Sequence, residues 1–282
     1  YILDLTVIQA DNKVNNIIDI QFLHGYHQPT LLILYEPLKT CPGRIAVRKD
    51  TCRLDVLTLD IKERISACIW SKEVLPFDCV SALPVPMPVG GTLVLAVNSL
   101  FYLNQGVPPY SVSLNSLGDN TMEHVVKQLD GVKLTLDCAR AKFMTPERAV
   151  ISLKGGELYV LSLLLGDHSR GVRGFHFDRA AASVLTTCIT LCEDHYLFLG
   201  SRLGNSLLLQ FTEKDIDTNS SKKQEGPASD APVKKKLKTG DSSTDWISAA
   251  SDVGDLHQDK DVLEVYGNSE ASNARRRTSK LD

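Results

Sequence analysis

Three times along this chain an apolar strand pattern runs into a short turn and out again. Tyr196–Phe211 reads YLFLGSRLGNSLLLQF, with Ser201-Arg202-Leu203-Gly204-Asn205 between two apolar runs. Ala149–Leu163 (AVISLKGGELYVLSL) turns at Lys154-Gly155-Gly156, and Thr92–Asn104 (TLVLAVNSLFYLN) turns at Asn98-Ser99. Each is the pattern of a β-hairpin. The turns at Asn98, Gly155 and Gly204 are 57 and 49 residues apart, near the roughly 40–50-residue repeat of propeller blades or a similar array. One such unit cannot bury both of its faces alone, so the repeats must stack. The expected fold is all-β: an incomplete β-propeller of stacked antiparallel blades, followed by a disordered segment. A stack of sheets suggests a binding platform before it suggests an enzyme.

Upstream, Tyr1–Ala10, Ile17–His24 and Thr30–Tyr35 read as strands, the last two joined by Gly25-Tyr26-His27-Gln28-Pro29. Pro37, Pro42 and Gly43 mark a loop, after which Ile45–Val47 and Leu54–Leu59 continue the sheet pattern. Leu54 and Val56 are expected on one face, Leu57 and Leu59 on the other, an imperfect alternation. The run Pro84-Val85-Pro86-Met87-Pro88, with Gly90-Gly91, belongs to a loop, because proline cannot donate to a sheet ladder. Gly106-Val107-Pro108-Pro109 reads as another exposed connection. Leu134–Ala139 and Ala149–Leu153 return to strand. Ala180–Thr187 reads as loop then strand, since a blade spanning Phe175–Phe177 and Tyr196–Leu199 needs a strand between them. No 3.6-residue period runs far enough for a long helix.

Three regions follow. Residues 1–212 form a partial propeller of about four blades. Residues 213–261 form a disordered polar linker with a basic cluster, because large apolar residues are too sparse there to offset the entropy of ordering. Residues 262–282 hold a short strand-like return, Val262–Tyr266, and a divergent polar tail. The chain starts at Tyr1 without Met and opens in apolar sequence, which suggests a fragment whose start lies upstream.

Hydrophobic residues make up 43 % and charged residues 23 % of the 282, ordinary for a globular protein. The net charge of −3 supplies no global attraction to nucleic acid or anionic lipid. An RNA-binding surface would therefore be a local patch, for which Arg44, Arg48, Lys49 and Arg53 are the candidates. There is no basic-then-apolar leader and no run of membrane-spanning length. The seven cysteines (Cys41, Cys52, Cys68, Cys79, Cys138, Cys188 and Cys192) include no CxxC pair, and they read as small hydrophobes in a reduced compartment. Cys188 and Cys192 have only His195 nearby as a third ligand, so no metal is expected.

No catalytic constellation emerges, and neither an enzyme nor a cofactor is expected. Lys154-Gly155-Gly156 lacks the spacing of a phosphate loop and is flanked by strands rather than by a helix. Gly200-Ser201-Arg202-Leu203-Gly204 echoes a nucleophile elbow with serine in the wrong place. His24 and His27 fall in an inter-strand loop, where hydrogen bonding or partner contact is the plainer role. His176 and Asp178 lack a nucleophile, and Asp178 with Arg179 suits a turn and an ion pair. The clearest functional motif is Pro232-Val233-Lys234-Lys235-Lys236-Leu237-Lys238. Lys234, Lys235, Lys236 and Lys238 suit the acidic groove of a nuclear import receptor. Arg275-Arg276-Arg277 is a weaker second cluster. Neither is interleaved with the aromatics that stack bases.

The strings Ile17–Tyr26 (IIDIQFLHGY), Val97–Tyr110 (VNSLFYLNQGVPPY), Ile151–Tyr159 (ISLKGGELY) and Phe175–Leu209 resemble the N-terminal part of a known family, that of the largest subunit of cleavage and polyadenylation specificity factor. The likeness runs from Tyr1 to about Thr212 and resumes at Val262–Gly267. The wider group includes the large subunit of damaged-DNA-binding protein and a subunit of splicing factor three-b, and is built of several β-propellers. The resemblance implies a nuclear scaffold that organises the subunits recognising the polyadenylation signal in pre-mRNA. Its implied partners are those subunits, pre-mRNA directly or through them, and an import receptor. The alternative is a propeller module that itself contacts RNA near the signal. The family also carries a lysine cluster after proline where Lys234–Lys238 stand.

Overall fold

A computed structural model describes residues 14–38, 41–63, 65–121, 123–166, 171–193, 195–216 and 276–281. The expected strand at Tyr1–Ala10, most of the 213–261 linker, Val262–Tyr266 and the four import lysines lie outside these residues.

The described residues form successive antiparallel sheets in chain order. The first sheet holds β1 (Ile17–Phe22), β2 (Thr30–Tyr35), β3 (Cys52–Asp60) and β4 (Ile65–Leu75). The second holds β5 (Cys79–Pro84), β6 (Thr92–Ala96), β7 (Ser99–Asn104), β8 (Val107–Ser113) and a two-residue parallel strand, β9 (Lys127–Gln128). The third holds β10 (Arg140–Thr145), β11 (Arg148–Ser152), β12 (Glu157–Leu165) and β13 (Val172–Ala182). The fourth holds β14 (Thr186–Cys192), β15 (Tyr196–Ser201), β16 (Leu207–Ile216) and β17 (Arg276–Leu281). Each up-and-down meander feeds the next, as in propeller blades. The three hairpins legible in the sequence are β6–β7, β11–β12 and β15–β16, the middle pair of their sheets.

Why the middle strands read as unbroken apolar runs follows from their two faces. Val94 and Ala96 of β6, with Phe101 and Leu103 of β7, pack toward the first sheet against Leu32, Leu34, Leu54 and Val56. Their neighbours Leu93, Leu95, Leu100 and Tyr102 pack toward the third sheet against Ala149, Ile151, Leu161 and Leu163. Val150, Leu158 and Val160 then face Leu197, Leu199 and Phe211 of the fourth sheet. A period of two thus sends alternate side chains into two different seams, both apolar. Each fully buried aliphatic side chain contributes about 1.5–3 kcal/mol, so these seams hold the stack together. The fourth sheet's other face is partly open: Phe198 is half-buried and Leu208 is exposed.

Polar staples tie the first strands of neighbouring sheets. Asp19 on β1 accepts a 2.8 Å hydrogen bond from the Ala82 amide on β5. Arg140 Nε on β10 donates to the Thr187 carbonyl on β14 at 2.9 Å.

Several expectations change. Ile45–Val47 is not strand: Pro42–Val47 is a short helix, α1, started by a proline whose fixed φ suits a first helical turn. Leu54 and Val56 do face one side and Leu57 and Leu59 the other, and the β3–β4 register shift between Val56 and Leu57 is a bulge in β4 at Ile69. Pro108 and Pro109 lie within β8, exposed, in the part of the strand that β9 does not reach. Leu134–Ala139 is not a ladder strand. It is an extended stretch anchored by hydrogen bonds from the Leu134 amide to the Leu114 carbonyl and from the Leu136 amide to the Val97 carbonyl. Strand β16 runs past Thr212 to Ile216, and β17, within the stretch read as a polar tail, pairs with it from Phe211↔Leu281 to Ile216↔Arg276.

Candidate protein-docking groove

The connection between β2 and β3 covers residues 36–51, whereas the middle strands of the other three sheets are joined by tight turns. The later part of this link, from Ile45 to Asp50, lines one wall of a surface groove. The Phe77 amide donates to the Lys49 carbonyl at 2.7 Å and pins the wall to the segment entering β5. The opposite wall is the loop after β8. Asn115 shapes it: its Nδ2 donates to Asn98 Oδ1 at 3.0 Å and to the Leu134 carbonyl at 2.8 Å. Its Oδ1 accepts from the Leu117 amide at 2.8 Å. Between the walls sit Asp78, Asn98 and Ser99, enclosing about 410 Å³. That volume suits a few side chains rather than a folded domain.

The groove is amphipathic. Val47 and Leu117 stand on its rims at 89 % and 71 % exposure. Asp78 Oδ2 accepts two hydrogen bonds from Asn98, at 3.0 and 3.3 Å. Burial nevertheless raises the Asp78 carboxyl above its ordinary value, with the Asn98 bonds opposing. Lys49 Nζ meets Asp119 Oδ2 at 2.5 Å, and both side chains are exposed. An exposed pair of this kind contributes about 0–1 kcal/mol, so it does not lock the groove.

The four cations proposed as an RNA patch are not free. Arg48 Nε pairs with Asp50 Oδ1 at 3.1 Å and Lys49 pairs with Asp119. Arg53 sits on β3, where Nε meets Asp55 Oδ1 at 2.9 Å and Nη1 meets Glu73 Oε1 at 2.6 Å. Arg44 Nη1 donates to the Leu38 carbonyl at 2.9 Å. Three of the four charges are therefore already neutralised by carboxylates, which leaves little to attract phosphates. Asp55, 1 % exposed, also accepts a 2.7 Å bond from the Tyr35 hydroxyl. Burial first, then that hydrogen bond, push the Tyr35 phenol well above its usual value.

The other sequence candidates are dispersed. His24 and His27 are exposed in the β1–β2 loop, where Tyr26 Oη accepts from Trp70 Nε1 at 2.9 Å. His176 and Asp178 lie on β13, with Nε2 and Oδ1 2.9 Å apart. Asp178 is thus in a strand and paired with His176, not in a turn with Arg179. Cys41, Cys68, Cys138 and Cys188 are exposed and Cys192 is half-buried, so the small-hydrophobe description fits best Cys52 and Cys79, which pack together in the first seam. A hydrogen bond with Cys52, then burial, raises the Cys79 thiol well above its usual value. No group of metal-ligating side chains occurs among the described residues. Lys154-Gly155-Gly156 is a hairpin turn, with Lys154 paired to Asp137 at 2.9 Å. Asp50, Asp78, Leu117 and Asp119 of the groove were not singled out in the sequence. The polar run Asn115-Ser116-Leu117-Gly118-Asp119-Asn120, with one exposed leucine, was the available signal.

Stacked sheets of four or five strands, each a meander feeding the next, define a β-propeller-type protein. Residues 12–243 match the family described as RSE1/DDB1/CPSF1 first beta-propeller, and the chain belongs to that family. It is 57 % identical over 74 % of its length to "Cleavage and polyadenylation specificity factor subunit 1" of Drosophila melanogaster, covering 14 % of that protein. The protein of the same name in Arabidopsis thaliana is 34 % identical over 75 % of this chain, with 14 % of that relative covered. "Protein cft1" of Schizosaccharomyces pombe is 29 % identical over 73 % of this chain, with 15 % of that relative covered. The chain thus spans about one-seventh of the length of these relatives.

Proposed function

We propose that this chain is a scaffold module of the nuclear pre-mRNA 3′-end cleavage and polyadenylation complex, a non-catalytic part that organises the subunits recognising the polyadenylation signal. The observation that carries the reading is the groove: apolar rims over carboxylates, with its cations paired, suit a protein segment better than a phosphate backbone. The names of the relatives supply the complex. The test is a pull-down of 3′-processing subunits by the full chain, beside an RNA titration at about 0.15 M salt, where screening weakens nonspecific phosphate contacts. Capture of subunits with weak, sequence-indifferent RNA binding is the expected result. Tight, sequence-selective binding of polyadenylation-signal RNA without subunit capture overturns the scaffold in favour of direct RNA recognition.

Nuclear entry is assigned to Lys234, Lys235, Lys236 and Lys238, whose charge density suits an import receptor's acidic groove. Replacing all four with alanine is expected to shift a tagged chain from nucleus to cytoplasm. Unchanged nuclear accumulation removes this role.

A further inference from the structure

We propose that the groove between α1 and the loop after β8 takes a protein segment presenting an arginine beside an apolar side chain, and that Asp50 receives the arginine. This deepens the scaffold reading and rests on it. Asp50 lines the groove and is 6 % exposed. Its Oδ1 accepts from Arg48, but its Oδ2 is buried and accepts no hydrogen bond from the described residues. An ionised carboxylate oxygen shut away from water without a donor is unfavourable, and a donor arriving with a partner relieves that in the bound state alone. Arg48 holds the other oxygen from a half-exposed position, its side chain 51 % exposed. Admission of the arginine requires the half-exposed Arg48 side chain to move, because Oδ2 is buried in the free chain.

The surroundings favour arginine. Its planar fork matches a carboxylate and stacks on an aromatic ring, and Phe77 lines the same groove. Asp78 and Asp119 add negative charge, offset by Arg48 and Lys49, so the groove complements one added cation rather than a basic run. The rims, Val47 and Leu117, offer apolar contact to the residue next to it. The same carboxylates repel the phosphates of RNA.

The probe is a fluorescein-labelled peptide, acetyl-Gly-Leu-Arg-Leu-Gly-amide, titrated against the full chain by anisotropy. Its counterpart has glutamine in place of arginine. The arginine peptide is expected to bind roughly ten- to hundredfold more tightly than the glutamine peptide, the span of one charge-assisted hydrogen bond. Asp50→Asn, which keeps shape and removes charge, is expected to erase that difference. Leu117→Lys, on the exposed rim where folding is not at stake, is expected to weaken the arginine peptide and not a control antibody to a tag on the chain. Equal affinity for the two peptides, an unchanged preference in both variants, no saturation up to about 1 mM, or displacement of the peptide by an oligouridylate each overturns the assignment. Failure here with subunit capture intact removes the groove's role and leaves the scaffold standing. Peptide binding without subunit capture does the reverse.

Discussion

Gly156→Ala is expected to destabilise the chain by about 3 kcal/mol or more, a large share of the stability of an ordinary domain. Gly156 closes the β11–β12 hairpin with φ +91°, where a Cβ would lie 2.6 Å from the Ser183 carbonyl oxygen and 3.3 Å from that of Val184. Both obstacles are backbone. The Ser183 amide also donates to the Gly156 carbonyl at 2.7 Å, so the turn and the β13–β14 link cannot separate without losing that bond. The left-handed conformation alone costs a side chain roughly 1–2 kcal/mol, and the clash adds to it. Two sister substitutions separate the causes. Gly204→Ala, at φ +83° with open space around it, is expected to cost only about 1 kcal/mol. Gly155→Ala meets only the end of the Glu157 side chain, 3.3 Å away, and is expected to stay within about 0.5 kcal/mol. Urea unfolding midpoints order the three. Equal losses at 156 and 204 would show that the Ser183 contact is not what makes position 156 special.

Asp55→Ala is expected to cost about 3–5 kcal/mol, the range for breaking one side of a buried charged pair. The carboxylate accepts from Tyr35 on one oxygen and from Arg53 on the other, and its removal leaves the Tyr35 hydroxyl buried without an acceptor. Tyr35→Phe removes one donor from a buried carboxylate and is expected to cost about 1.5–3 kcal/mol. Because the two share one network, the double variant should lose less than the sum. Tyr35 also gives the wild type an alkaline limb. Its folded pKa is raised, so its contribution is complete below the ordinary phenol value of about 10 and is lost as pH climbs from there toward the raised value. Tyr35→Phe should flatten that limb. Strict additivity, or an unchanged alkaline limb, would show that the network carries no coupling.

What could be read in the sequence and what could not divides by distance along the chain. The hairpins at Asn98, Gly155 and Gly204 were legible because strand, turn and strand lie within some fifteen residues. The first sheet's middle pair was blurred because β2 and β3 are separated by α1, whose Pro42 suits a helix start as well as a loop. Pro108 and Pro109 read as a connection because proline's missing donor matters only where a neighbour needs it. Leu134 and Leu136 read as strand from their alternation, yet they are buried by extended backbone outside any ladder. The groove stayed hidden for the same reason in stronger form. Lys49 and Asp119 meet across 70 residues of sequence, and no local pattern announces that a run of cations will be met by carboxylates.

The three inter-sheet seams share no residue: alternate side chains of β6 and β7 serve one seam or the next, never both. Such a body transmits force and damage link by link, like a chain of couplings rather than a single casting. A lesion in the last seam leaves the first intact, and a ligand clasped beside the first stiffens its own joint before any other. The cost of ordering the far sheets is then borne by their own neighbours. A stack assembled this way holds one end steady while its opposite end gives way.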